Sequence, residues 1–229
     1  GCNINLNITL TQPVAPFTLA AQATDVLCFG ANTGSIDLIP SGGTFPYTYA
    51  WSNSQTTEDI TTLIAGTYSV SATDNNGCTA FFTVQVDEPN QPIAIANTIS
   101  NVLCFGDSTG AIDLTISGGT PGYSFNWNGG TYSTEDITML PSGTFIVTVT
   151  DANNCQLNDT FFVAQPISPL VSTVTSIDAS CFGSSTGSID LSVNGGTAPY
   201  GYTWSTGILT QDLSNLPIGW YYVTVTDAH

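Results

Sequence analysis

Polar and apolar residues alternate with a period of two over short stretches, and the same stretches return at a fixed interval. Residues 3–10, Asn-Ile-Asn-Leu-Asn-Ile-Thr-Leu, alternate strictly, as a half-buried strand does. The first repeating unit is expected to hold about seven short strands. Six of them are placed near 17–26, 35–40, 47–51, 58–63, 66–73 and 79–86. Turn clusters separate them: Gly42-Gly43-Thr44, Ser52-Asn53-Ser54, Ala65-Gly66 and Asp74-Asn75-Asn76-Gly77. Asn-Gly supplies positive φ at little cost, so the last cluster is a hairpin loop. No stretch shows a helical period with caps. Short strands with turns every 8–12 residues or so predict an all-β fold of tandem immunoglobulin-like β-sandwich modules.

The repeat is explicit. Cys28-Phe29-Gly30 runs through Ile36-Asp37-Leu38 and Gly42-Gly43 to Trp51. The same order returns from Cys104 to Trp127 and from Cys181 to Trp204. From cysteine to the first glycine of the pair is 14 residues, and from the second glycine to tryptophan 8, in all three copies. The second copy is one residue longer around Asn128-Gly129-Gly130, which marks a loop. Gln12-Pro13, Glu88-Pro89 and Gln165-Pro166 lie 76 and 77 residues apart. Proline cannot donate to a sheet ladder, so these are expected junctions. They divide the chain into 1–13, the last strand of a preceding repeat; repeats 14–89 and 90–166; and 167–229, which lacks its last strand. The whole is expected to be a window from a longer array, linear in arrangement.

Charge narrows the function. The chain has 17 acidic residues, one histidine and no lysine or arginine. Phosphate backbones and anionic lipids need cations, so nucleic acid is excluded as a partner and so is an anionic membrane surface. No apolar run approaches the roughly 20 residues of a membrane span, so direct membrane insertion is not expected. His229 is terminal and unpaired, and no serine has a base in pattern, so the chain is not expected to be an enzyme.

Tyr49 and Trp51, Phe125 and Trp127, and Tyr202 and Trp204 sit two apart on a strand and face the same way. They are expected to be core aromatics; the competing reading is a platform that stacks on sugars. Tyr47, Tyr123 and Tyr200 share their parity. Asp37, Asp113 and Asp190 fall between apolar strand residues and should point outward. Asp74, Asp151 and Asp227 open the hairpin loop, where Asx-turns account for them. Asp59, Asp136 and Asp212 precede a short apolar pair. No cofactor is expected. Calcium at junctions is the sharper alternative, but only Asp87-Glu88 brings acid to a junction. Asn7-Ile8-Thr9 and Asn158-Asp159-Thr160 fit the N-glycosylation pattern, and Asp107-Ser108-Thr109 a short O-glycosylation pattern.

Cys2, Cys28, Cys78, Cys104, Cys155 and Cys181 recur at regular spacing in small β-rich units, so structural disulfides and an oxidising, extracellular compartment are expected. Three pairings stay open. Bonds within a unit join Cys28 to Cys78 and Cys104 to Cys155. Bonds across junctions join Cys2 to Cys28, Cys78 to Cys104 and Cys155 to Cys181. Sandwich topology allows a third, Cys28 to Cys155, between neighbouring units.

Cys-Phe-Gly-x-x-Thr-Gly-Ser-Ile-Asp-Leu, then Gly-Gly-Thr-x-Pro-Tyr-x-Tyr-x-Trp, then Gly-Thr-Tyr-x-Val-x-x-Thr-Asp-x-x-Gly-Cys, resembles the SprB repeat. Departures are small: Pro121-Gly122-Tyr123 in the second copy and Gly219-Trp220-Tyr221 in the third. The resemblance implies the shaft of a very large cell-surface adhesin filament of Bacteroidota. It also implies outer-membrane attachment, export by the type IX secretion system and a role in gliding motility. Its partners would be neighbouring repeats of the same chain and a surface polysaccharide or substratum. A carbohydrate-binding array and the spacer of a secreted enzyme are the alternatives. Loops 52–57 and 128–134 are the expected exposed faces.

Overall fold

The computed structural model describes residues 1–229, and it is all-β, with seventeen strands and no helix. The first copy holds β1 (Thr18–Thr24), β2 (Gly34–Ser41), β3 (Thr48–Trp51), β4 (Ile60–Leu63), β5 (Gly66–Thr73) and β6 (Thr79–Val86). The second holds β7 (Ala94–Ser100), β8 (Gly110–Ser117), β9 (Ser124–Trp127), β10 (Ile137–Leu140), β11 (Gly143–Thr150) and β12 (Gln156–Val163). The third holds β13 (Val171–Ile177), β14 (Gly187–Asn194), β15 (Gly201–Trp204), β16 (Leu213–Leu216) and β17 (Val223–Thr226). A full copy therefore has six strands, not seven.

The six form two small sheets, β1-β2-β4 and β3-β5-β6, and the second copy repeats the order as β7-β8-β10 and β9-β11-β12. The third has β13-β14-β16 but only the pair β15-β17 on its other side. Strand alternation sends one face of each sheet inward. Ile36 and Leu38 of β2 meet Trp51 of β3, Tyr68 and Val70 of β5 and Val86 of β6 in one buried cluster. This is the immunoglobulin-like sandwich, with apolar residues from both sheets between them.

Residues 3–10 form no strand, against the alternation there. Ile4, Leu6, Ile8 and Leu10 are 79–94% exposed. Alternation makes a strand only when another strand supplies a ladder and a face to bury, and nothing in this chain pairs with the segment.

The short strand β4 breaks alternation in a regular way. Ile60 and Leu63 are both buried although three residues apart. Simple alternation would put them on opposite faces. Thr62 has φ of +63°, and Met139 and Asn215 at the same place in the other copies have +57°. The pairing register shifts beside these residues in each copy. A β-bulge thus turns the second apolar residue back toward the core.

By packing, the chain divides into two compact units. One comprises Gly1–Ala94 with Ser117–Tyr123 and Thr150–Leu157; the other comprises Ile95–Ile116, Ser124–Val149 and Asn158–His229. The first unit thus takes in the turn and hairpin tip of the second copy.

Trp127 is fully buried and packs against Phe161 with ring centroids 6.0 Å apart, whereas Trp220 is 90% exposed. Trp127→Ala is expected to cost about 3–5 kcal/mol, as large-to-small changes of buried aromatics do. Trp220→Ala should stay within about 0.5 kcal/mol. Urea unfolding followed by circular dichroism separates the two, and equal effects would contradict the assignment of core and surface.

Candidate functional site

The densest chemistry lies at the two loops that the cysteines occupy, and the Gly-Gly turn builds the first of them. Gly42 has φ of +72°, and a Cβ there would lie 2.0 Å from the Pro16 carbonyl oxygen. Gly118 and Gly195 repeat this against Pro92 and Pro169. Only glycine permits so close a backbone approach at positive φ. The hydroxyl of Tyr47 donates to the Gly42 carbonyl at 2.6 Å, and Tyr123 and Tyr200 do the same to Gly118 and Gly195. These tyrosines are half-buried and clamp the turn.

Asp74 joins that turn to the hairpin. Its Oδ2 accepts from the Thr44 amide at 2.9 Å, and its Oδ1 from Asn76 at 2.9 Å and Cys78 at 2.8 Å. Asp151 makes the same three bonds with Thr120, Asn153 and Cys155, each at 2.9 Å. Both carboxylates are buried, and the chain has no lysine or arginine to pair with them. Burial pushes the Asp74 carboxyl up, but the amides of Cys78, Thr44 and Asn76 outweigh it and hold the group below its ordinary value. Asp227 is likewise held low, by the amides of Thr197 and His229. The Asx-turn expected of these residues is present, and the same carboxylate also reaches back to Thr44. The signal for that reach lies in the recurrence of the aspartate 30 or 31 residues after the threonine of the Gly-Gly-Thr turn.

A second relay fixes the tryptophan. The indole Nε1 of Trp51 donates to the Thr57 carbonyl at 2.9 Å, Thr57 Oγ1 donates to the Asp59 carbonyl at 2.6 Å, and Asp59 Oδ1 accepts from the Leu38 amide at 3.0 Å. Trp127–Thr134–Asp136–Leu114 and Trp204–Thr210–Asp212–Leu191 repeat it. Asp59, Asp136 and Asp212 therefore tie a loop to the neighbouring strand. Asp37, Asp113 and Asp190 are exposed.

The remaining aromatics of the pattern are less buried than the tryptophans. Trp51, Trp127 and Trp204 are at most 5% exposed, while Tyr49, Phe125 and Tyr202 are half-buried. Tyr49 donates to Glu58 and Tyr202 to Gln211. Burial, then the Glu58 hydrogen bond, raises the Tyr49 phenol above its ordinary value.

The loop carrying the first cysteine of each copy shares a threonine bond and a tight turn. Thr33 Oγ1 accepts from the Leu27 amide at 3.0 Å, and the Ala31 amide donates to the Cys28 carbonyl at 3.0 Å. Glu88, the acidic residue of the junction, accepts from the Gly30 amide, and Gln165 accepts from Gly106 at 2.9 Å. A carboxylate is therefore not required at this position; the amide oxygen of glutamine serves as well.

The two loop types meet. Cys28 is bonded to Cys155 with Cα atoms 5.7 Å apart, and Asn153 Nδ2 donates to the Leu27 carbonyl at 3.0 Å beside the bond. This is the third of the three pairings, between neighbouring copies; it excludes Cys28 from bonding Cys78 or Cys2, and Cys155 from bonding Cys104 or Cys181. Cys2, Cys78, Cys104 and Cys181 are exposed and unbonded.

Taken together, the small sandwiches, the recurring clamps and the bond between copies define a tandem repeat protein of immunoglobulin-like modules. The SprB repeat family matches three times, over residues 20–56, 96–132 and 173–208. The chain carries SprB repeats, one per copy. No curated protein matches it. Among solved structures, it is similar to the C-terminal 282-residue fragment of intimin, crystallised with the intimin-binding domain of its translocated receptor. That match has 16% identity, covers 71% of this chain and 67% of that one, and has a TM-score of 0.37. The N-terminal eight immunoglobulin domains of Down Syndrome Cell Adhesion Molecule match at 9% identity, 83% and 36% coverage and a TM-score of 0.39. A tetra-tandem repeat from the extending region of a large adhesion protein matches at 14% identity, 96% and 65% coverage and a TM-score of 0.29. The chain thus spans about a third of one of these proteins and about two thirds of the other two. SprB repeats fit a repetitive, adhesin-like structural protein rather than a catalyst, and together with the disulfide they fit an extracellular surface location.

The clamp makes a pH prediction. An aspartate whose folded pKa lies below its unfolded value of about 3.9 adds stability that is present above that value. The contribution fades as pH falls through the folded pKa. Asp74→Asn should therefore lower the urea midpoint at neutral pH, and its gap from the unsubstituted chain should narrow below about pH 4. A gap that is constant or grows on acidification would contradict the clamp.

Proposed function

We propose that this chain is part of the shaft of a long, repetitive cell-surface adhesin filament, exported by type IX secretion and attached to the outer membrane, that serves surface adhesion and gliding. The observation that carries the reading is the covalent bond between neighbouring repeats, Cys28 to Cys155. A shaft must pass tension from one module to the next. A disulfide supplements the non-covalent contacts in doing so, and it persists in an oxidising exterior. An acidic, lysine-free chain offers no trypsin site, and its net charge of −17 opposes self-association. The partners under this reading are neighbouring repeats and a polysaccharide or solid substratum. Loops 52–57 and 128–134, largely exposed, are where a substratum would be met.

One observation favours a glycan contact on the third copy as a second reading. Trp220 and Tyr222 are 90% and 72% exposed, and they sit two residues apart just before β17. The first copy has Thr67 and Ser69 at the same places.

Immunogold labelling of intact cells of the producing bacterium, with antibody raised against this chain, tests the main reading. Gold along filaments outside the outer membrane is expected, with loss of gliding and adhesion on deletion of the gene. Gold confined to the cell interior, or deletion without effect on either behaviour, would overturn it. Retarded migration through a polysaccharide gel that Trp220→Ala abolishes would support the glycan contact.

A further inference from the structure

We propose that the exposed Cys78 hairpin is a preformed receptor for the cysteine loop of another SprB repeat, and that the exposed Cys104 and Cys181 loops are the matching donors. The partner is thus a further repeat of the same kind, joined by the bond seen between Cys28 and Cys155. The inference goes beyond the surface role and rests on geometry alone.

The bonded pair defines what each half looks like. In the bonded hairpin, the Asp151 amide donates to the Cys155 carbonyl at 3.0 Å, the Asn154 amide donates to the Asp151 carbonyl at 3.0 Å, and Asn153 Nδ2 donates to Thr120 Oγ1 at 2.9 Å. In the unbonded hairpin, Asp74 donates to Cys78 at 2.9 Å, Gly77 to Asp74 at 3.0 Å, and Asn76 Nδ2 to Thr44 Oγ1 at 2.9 Å. Gly77 and Asn154 share positive φ, +82° and +63°. The receptor therefore holds the same form with and without its partner. Asn76, exposed, offers the amide that Asn153 gives to Leu27.

The donors match equally well. Thr109 and Thr186 accept from the Leu103 and Ser180 amides at 2.9 Å, as Thr33 does from Leu27. Asp107 and Ser184 donate to the carbonyls of Cys104 and Cys181 at 3.1 and 3.0 Å, as Ala31 does to Cys28. Gly106 and Gly183 have φ of +83° and +77°, close to the +71° of Gly30. The contact made beside the bond is to a backbone carbonyl, so Ser180 serves where Leu27 does. Cys78, Cys104 and Cys181 are exposed, whereas Cys28 and Cys155 are half-buried. Loops ordered in advance lose little entropy on joining.

The chemistry needs a two-electron oxidant, and a low-molecular-weight disulfide such as oxidised glutathione provides it. The Cys181 thiolate attacks one sulfur of that disulfide, forming a mixed disulfide and releasing one glutathione thiolate. The Cys78 thiolate of a second molecule then attacks the Cys181 sulfur and expels the other glutathione thiolate. Two protein thiols are oxidised, one glutathione disulfide is reduced, and the two thiol protons pass to the released thiolates.

The test oxidises the 229-residue chain with a glutathione buffer at rising protein concentration and maps linked peptides in the dimer band. Cys78 joined to Cys181 or Cys104 of a second molecule is expected to dominate, at least tenfold over Cys78–Cys78 and over any link through Cys2. Cys78→Ser should abolish the band and Cys2→Ser should not. Circular dichroism of each variant shows that it folds. Equal yields of all pairings, no dimer band, or a band that survives Cys78→Ser would overturn the proposal.

Discussion

A buried carboxylate in this protein has no lysine or arginine to turn to, and that constraint shapes both complete copies of the repeat. Burying a charge without a partner is among the costliest things a fold can do. Here the backbone answers, with three amide donors converging on Asp74 and three on Asp151. The amides come from two segments some thirty residues apart in sequence, so the carboxylate holds together a turn and a hairpin that the strands alone leave independent. The Gly-Gly turn, the tyrosine that pins it and the hairpin bearing the second cysteine all hang on this one group.

The hairpin so fixed presents Cys155 to Cys28. In the chain-entropy view, a bond closing a loop of 127 residues adds on the order of 5 kcal/mol, against about 1 kcal/mol for a typical hydrogen bond. Within each copy the fold rests on many small terms: a buried tryptophan, two sheets, a bulge. Between the copies one covalent term is as large as the buried tryptophan's and far larger than a single hydrogen bond. Local order is therefore non-covalent and redundant, whereas continuity from copy to copy has a covalent element. That division suits a protein whose work is structural.

Much of this was legible in the sequence, and the reasons for the rest are physical. Strand positions followed from alternation, because the side-chain period of a strand is two and the turns carry glycine and asparagine. Ile60 and Leu63 misled that rule, since a bulge with Thr62 at positive φ is invisible to periodicity. Residues 3–10 misled it in the other direction: alternation records a capacity to pair, and pairing needs a second strand. The disulfide stayed open because cysteine spacing does not say which loops share an end of a module. The aspartate clamps leave no residue-type signature in the sequence, because their donors are backbone amides, which every residue but proline has. Only recurrence 30 or 31 residues after the threonine of Gly-Gly-Thr marks them.

Peptide mapping of the oxidised chain under non-reducing conditions, with a protease that cuts at aromatic or acidic residues, tests the central claim most directly. The account predicts a linked pair containing Cys28 and Cys155, in monomeric protein, that disappears on reduction. Cys28 linked to Cys78, with Cys155 linked to Cys104, would place the bonds inside the repeats and contradict it.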